Sequence, residues 1–128
     1  MTTTDPTTPD EIVTAFIRRV EEGQLDEACA LLAPDIAYEN VGLDVVRGDE
    51  AVKGFLSGFL GMTTQVEWIV HRQIAEGAAV ANERTDRFLI NGRWREGRVA
   101  GFFEVRDGRI ALWRDYFDLG LVQRLLEE

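Results

Sequence analysis

From Ala79 to Ile90 the chain alternates with a period of two. Val80, Asn82, Arg84, Asp86, Phe88 and Ile90 fall on one face, and Ala81, Glu83, Thr85, Arg87 and Leu89 on the other. Such a run reads as a strand, because a helix would scatter its apolar residues around the axis. Asn91-Gly92 follows directly, and Asp107-Gly108 comes one strand later. Both pairs suit type I′ hairpin turns, whose two central positions need positive φ. Upstream, Val66, Trp68 and Val70 alternate with Gln65, Glu67 and His71 from Thr64 onward, and Glu76-Gly77 reads as a turn. The second half of the chain therefore predicts an antiparallel meander whose last strand carries Ala111, Trp113, Asp115 and Phe117 on one face.

The first half changes period. Thr8 caps a helix with Pro9 at its first position and Glu11 three residues on, and Ile12, Val13, Phe16, Ile17 and Val20 form one apolar stripe ending at Gly23. A short helix is expected from about Leu25 to Leu32, stopped by Pro34. A strand should run from Ile36 to Asn40, with Ile36, Tyr38 and Asn40 on one face, and Leu43 to Val46 could add a short ribbon. Asp49 is expected to cap a third helix carrying Val52, Phe55, Leu56, Phe59 and Leu60. Helices followed by a long antiparallel sheet make an α+β fold, in which the helices cover one face of a bent sheet. A chain of 128 residues fits a single domain. The expected division is a loose tail over residues 1–8 and one domain over residues 9–128.

The charge and the rare side chains narrow the chemistry. A net charge of −9 argues against a nucleic-acid surface, which needs clustered Lys and Arg. One cysteine, Cys29, permits no intrachain disulfide, and one histidine, His71, leaves little from which to build a zinc site or a Ser-His-Asp machine. Cys29 reads as a small buried apolar residue and His71 as solvated. Any hydrolysis must therefore fall to carboxylates, with no cofactor or metal expected. The Thr/Pro-rich N-terminus lacks the basic and apolar regions of a signal peptide, and the apolar runs are too short to span a bilayer, so the expected location is cytoplasmic. Arg93, Arg95 and Arg98 read as a solubilising edge.

Two positions strain the binary pattern. Arg84 and Asp86 share the face that carries Val80, Phe88 and Ile90, which places a charged pair toward the interior at considerable desolvation cost. Asp115 lies between Trp113 and Phe117 on its own face. A structural ion pair would account for the first as well as a functional site does, and Asp115 could be partnered or exposed at an edge. Tyr38-Glu39-Asn40, Arg84-Thr85-Asp86 and the Asp115 of Trp113-Arg114-Asp115-Tyr116-Phe117-Asp118, in this order and separation, resemble the limonene-1,2-epoxide hydrolase family. The likeness runs from about Pro9 to Gly120.

That resemblance implies a cone-shaped fold related to nuclear transport factor 2 (SnoaL-like, cystatin-like), with a strongly curved, mixed but largely antiparallel sheet. It implies a homodimer and the addition of water to an apolar epoxide. By the same resemblance Asp115 would be the base, Tyr38 and Asn40 would hold the water with it, Asp86 would be the acid, and Arg84 the bridging guanidinium. Other occupants of the fold stay open: a ketosteroid-isomerase-like or polyketide-cyclase-like enzyme, an intramolecular epoxide-opening cyclase, or a non-catalytic dimer that binds apolar ligands. Trp68, Trp94 and Trp113 could line a pocket or serve as core, and Phe55, Phe59 and Leu60 fit core better than cavity wall.

Overall fold

The computed structural model describes residues 5–127, apart from the side chain of Leu119. Residues 1–4, half of the expected tail, lie outside the described residues. Helix α1 (Pro9–Glu21) starts with the expected capping box: Thr8 Oγ1 accepts from the Glu11 N–H at 3.2 Å, and Glu11 Oε1 accepts from the Thr8 N–H at 3.1 Å. Its apolar stripe, Ile12, Val13, Phe16, Ile17 and Val20, is buried throughout. That stripe is the side of the helix laid on the sheet, and Gly23, at φ +77°, ends the turn that follows it.

Helix α2 (Leu25–Cys29) is shorter than its apolar pattern suggests, because strand β1 (Leu32–Asn40) begins earlier than Ile36. The cause is tertiary. Leu31 O accepts from the Ile110 N–H at 2.8 Å, and Leu32 pairs with Ile110, which draws these leucines out of the helix. The register then breaks between Leu32 and Ala37, so Pro34, which has no N–H to donate, occupies an irregular stretch where no ladder bond is lost. The ribbon expected over Leu43 to Val46 is reduced to β2 (Val46–Arg47), paired with Ala37 and Tyr38. Helix α3 (Asp49–Leu60) is not capped by Asp49. Gly48 is the N-cap at φ +91°, and its N–H is tied to Ile36 O, so Asp49 enters as the first helical residue.

Strands β3 (Gln65–Glu76), β4 (Ala79–Ile90), β5 (Arg93–Arg106) and β6 (Arg109–Phe117) form the expected meander. Asn91, Gly92, Asp107 and Gly108 all take positive φ, as type I′ turns require. The sheet has six strands in the order β2-β1-β6-β5-β4-β3, antiparallel throughout except for the β1–β6 pair. The protein is thus α+β, with a mixed, largely antiparallel, curved and unclosed sheet. In β3 the register shifts between Val70 and Arg72. Val70, expected inside with Val66 and Trp68, is half exposed beside this bulge, where the strand bends. His71 is exposed and Cys29 buried, as expected, and burial pushes the Cys29 thiol up to about 11. Among the described residues no helix is long and apolar enough to cross a membrane.

One element has no counterpart in the sequence reading. Helix α4 (Leu119–Leu126) is capped by Asp118, whose Oδ1 accepts from the Gly120 N–H at 3.0 Å. Its far end overturns the reading of Arg95 as part of a solvated edge. Arg95 is buried, and its Nη1 donates to the carbonyls of Arg124 (3.0 Å), Leu125 (3.3 Å) and Glu127, meeting acceptors a helix end leaves unpaired. Arg93 and Arg98 are exposed, as expected. Leu121 of α4 sits over Gly97, where a Cβ would stand 2.8 Å from Leu121 Cδ1 and 3.0 Å from its Cβ and Cγ. Gly97→Ala is therefore expected to destabilise the protein by about 1–3 kcal/mol through overpacking. In a Leu121→Ala background, which removes Cγ and Cδ1 at its own cost in stability, Gly97→Ala should be less destabilising than in the wild type, as read by denaturant unfolding.

Candidate active site

The inner face of β4 presents Asn82, Arg84 and Asp86 in succession, each no more than 5% exposed. Across the ladder, Gly101 of β5 pairs with Asn82 on one side and with Asp115 of β6 on the other. A Cβ at Gly101 would lie 2.3 Å from Arg84 Nη1, 2.8 Å from Asn82 Oδ1 and 3.0 Å from Asp115 Oδ1. The missing side chain is thus the slot through which the guanidinium crosses β5 and reaches β6. Without it, the strand order would keep Arg84 and Asp115 apart.

Arg84 binds Asp86 through two parallel bonds, Nε to Oδ1 at 2.9 Å and Nη2 to Oδ2 at 3.0 Å, and Nη2 also donates to Asp115 Oδ2 at 3.0 Å. The fork fixes the Asp86 carboxylate plane, and the single Nη2 bond ties Asp115 to the same guanidinium. Asp115 Oδ1 accepts from Trp113 Nε1 at 2.9 Å, which orients the carboxylate from its other oxygen. The parallel β1–β6 register sets Tyr38 beside Trp113 and Asn40 beside Asp115. Tyr38 stacks on Trp113 with ring centroids 4.0 Å apart, and its Oη accepts from Asn40 Nδ2 at 2.9 Å. All five residues singled out from the sequence, Tyr38, Asn40, Arg84, Asp86 and Asp115, therefore gather in one place. The first two and both aspartates line a cavity of about 210 Å³.

Its walls are apolar. Phe55, Leu56 and Phe59 of α3 contribute: Leu56 belongs to the core as well, Phe59 packs against it, and Phe55, expected as core, is exposed wall, while Leu60 packs on the core alone. Trp68, Phe88, Val99 and Phe117 come from the sheet. Leu121, Val122, Leu125 and Leu126 of α4 close another side. Of the tryptophans, Trp113 is core, Trp68 is wall, and Trp94 is partly exposed beneath the Arg87 guanidinium. Among the described residues no three His, Cys, Asp or Glu side chains cluster as metal ligands.

Burial raises the Asp86 carboxyl above the usual range, Arg84 opposes this, and the nearby charge of Asp115 adds to it. Burial works against the Arg84 charge, but Asp115 and Asp86 more than offset it and hold the guanidinium protonated. Burial, and then the charge of Asp115, likewise raise the Tyr38 phenol. One guanidinium, one carboxylate and one carboxylic acid sum to zero, which is the least costly charge state to bury.

Three contributors escaped the sequence reading. Asn82 was placed on the face of Arg84 without a role, yet it accepts from Arg84 Nη1 at 2.9 Å. Trp113 shares its strand face with Asp115, two residues away, and this spacing was the available sign of their bond. Gly101 occupies an inward position of an alternating strand, a place where glycine marks a close approach.

The sequence pattern of the limonene-1,2-epoxide hydrolase catalytic domain matches residues 7–127. Epoxide hydrolase EphG of Mycobacterium tuberculosis is 42% identical over 107 residues, covering 84% of this chain and 71% of that protein. A solved structure of an M. tuberculosis LEH-like epoxide hydrolase superposes with a TM-score of 0.83 at 40% identity, covering 95% of this chain and 92% of the other. An NTF2-like protein of Burkholderia pseudomallei, 20% identical, superposes with a TM-score of 0.82 over 94% of this chain and 98% of its own, a likeness of fold.

The raised Asp86 carboxyl has a consequence for stability. Between the unfolded carboxylate range and the higher folded value, the folded state binds the extra proton, so stability falls as pH rises through that window. Asp86→Asn cannot ionise and escapes this loss. The stability of the wild type relative to Asp86→Asn should therefore decline with rising pH, measured by urea unfolding at a series of pH values. A difference that is flat or grows with pH would overturn the assignment.

Proposed function

The chain belongs to the limonene-1,2-epoxide hydrolase family, and from that premise we propose that residues 9–128 act as one catalytic domain adding water to an apolar epoxide to give a vicinal diol. The observation that carries this reading is the pair of buried aspartates bridged by one guanidinium at the wall of an apolar cavity. Opening an epoxide near neutral pH needs a proton delivered to the ring oxygen while a deprotonated water attacks carbon, so acid and base must coexist. Two aspartates manage this only if their surroundings separate their protonation states.

Asp115 serves as the base. Tyr38 and Asn40, adjacent to it through the β1–β6 register, hold the water with it. As the water oxygen bonds to an epoxide carbon, its proton passes to Asp115, the C–O bond of the ring breaks, and the ring oxygen takes the proton of Asp86. Asp115 then carries the proton and Asp86 is ionised, so transfer back from Asp115 to Asp86 resets the pair. Arg84 balances one negative charge at every stage and keeps both carboxyl planes in place. Acid, base and counter-charge all come from side chains, which supports a cofactor-free reaction. The enclosing aromatic and aliphatic walls support an apolar substrate.

Two further readings complete the proposal. The protein works as a homodimer, supported by exposed apolar side chains on the outer sheet face, among them Ile74 and Tyr116. It acts in the cytoplasm, consistent with a single, buried, unpaired cysteine that needs no oxidising compartment.

Asp86→Asn and Asp115→Asn are each expected to abolish diol formation on a panel of terpene, steroid and fatty epoxides while the fold is retained. Near-native turnover by either variant would overturn the mechanism. Arg84→Lys should not restore activity, because a point charge cannot serve two carboxyl planes at once. In oxygen-18 water the diol should carry one labelled oxygen. An unlabelled product would instead identify opening by a hydroxyl of the substrate itself.

A further inference from the structure

One donor of Arg84 serves neither aspartate. Nη1 donates to Asn82 Oδ1, and an asparagine amide can offer either an acceptor or a donor at such a position. What decides the matter here is its other end. Asn82 Nδ2 donates to Gln73 Oε1 at 3.0 Å, and Gln73 Nε2 donates in turn to Asp10 Oδ1 at 2.8 Å, to Asp10 O at 3.3 Å and to Thr14 Oγ1 at 3.0 Å. Every bond runs outward in one direction, from the guanidinium to a carboxylate on the first turn of α1. Each amide therefore turns its oxygen toward Arg84.

Gln73 can take part only because of the bulge in β3. Before it, Val66 and Trp68 face inward; after the shift between Val70 and Arg72, the odd position Gln73 faces inward and pairs directly with Asn82. A regular strand would turn Gln73 to the outer face and leave the Asn82 amide free to flip. A flipped amide would set its N–H against the Nη1 N–H of Arg84, donor facing donor, at a pair that is 5% and 1% exposed.

We propose that Asn82 and Gln73 are positioning residues for the reaction, the chain Asp10–Gln73–Asn82 holding the Arg84 guanidinium in the one plane that serves both Asp86 and Asp115. This rests on the epoxide-hydrolase reading above and adds to it two residues and a structural device, the β3 bulge. Neither residue touches substrate. Both act through Arg84, whose orientation sets the relative placement of acid and base, a placement to which the reaction rate is steeply sensitive.

Gln73→Met preserves the length of the side chain, removes every side-chain hydrogen bond it makes, and falls at a partly exposed position. On an epoxide that the wild type turns over, kcat should fall about tenfold while KM stays within about twofold, the mark of lost alignment rather than lost binding. A separate measurement needs no turnover. In nitrogen-15 spectra the Nη1 protons of Arg84 should exchange slowly in the wild type and broaden or vanish in Gln73→Met. The proposal is overturned by a Gln73→Met protein with unchanged Arg84 signals and kcat within about twofold of wild type. A wild type inactive on every epoxide would defeat the functional reading alone, with the Arg84 spectra still deciding the positioning chain.

Discussion

The guanidinium of Arg84, lying across β5 in the space left by Gly101, is the interaction around which the molecule is arranged. Burying an arginine is costly unless its donors are met, and those of Arg84 are met by Asp86, Asp115 and Asn82 from two different strands. Removing one partner of such a group leaves an uncompensated charge, at a typical cost of about 3–5 kcal/mol. The architecture answers this constraint. Helices α1 and α3 and the inner aromatics exclude water, the β4-β5-β6 register brings the three charged groups within reach, and glycine at the crossing strand gives the guanidinium room.

The helical layer and the charged group are joined by aromatic contacts that converge on Trp113. Its ring meets Phe16 of α1 edge-on at 5.1 Å, stacks on Tyr38 at 4.0 Å, lies 6.0 Å from Trp68 and Phe103, and sends its N–H to Asp115. A single side chain thus belongs to the core on one side and to the site on the other. Core packing and carboxylate orientation are consequently not separable quantities in this fold: a change that lets the indole tilt would be felt at Asp115.

What could be read in advance was whatever the chain decides locally. The alternation of Ala79–Ile90, the two hairpin dipeptides and the Thr8–Glu11 capping box are short-range signals, and each appears where its chemistry demands. The inward direction of Arg84, Asp86 and Asp115 followed from strand parity, though the roles of the residues came from family likeness. What could not be read was set by partners distant in the chain. Leu32 looks helical until Ile110 pairs with it, Arg95 looks solvated until the end of α4 arrives above it, and Gln73 looks outward until the bulge reverses the parity of β3. Helix α4 is a different case: Asp118 as its cap and Leu121, Val122 and Leu125 at helical spacing are local signals that the sequence reading passed over.

That last helix has an implication for how such a protein can change. The charged machinery sits on β4 and β6, deep in the sheet, whereas part of the cavity wall is supplied by α4, seated on Gly97 and held by Arg95. This part of the wall lies apart in sequence from the reactive trio, but Phe88 and Phe117 stand two residues from Asp86 and Asp115. Substitutions in α4 can remodel what is admitted while the reactive trio is left untouched, so a lineage can explore new compounds by editing that one helix.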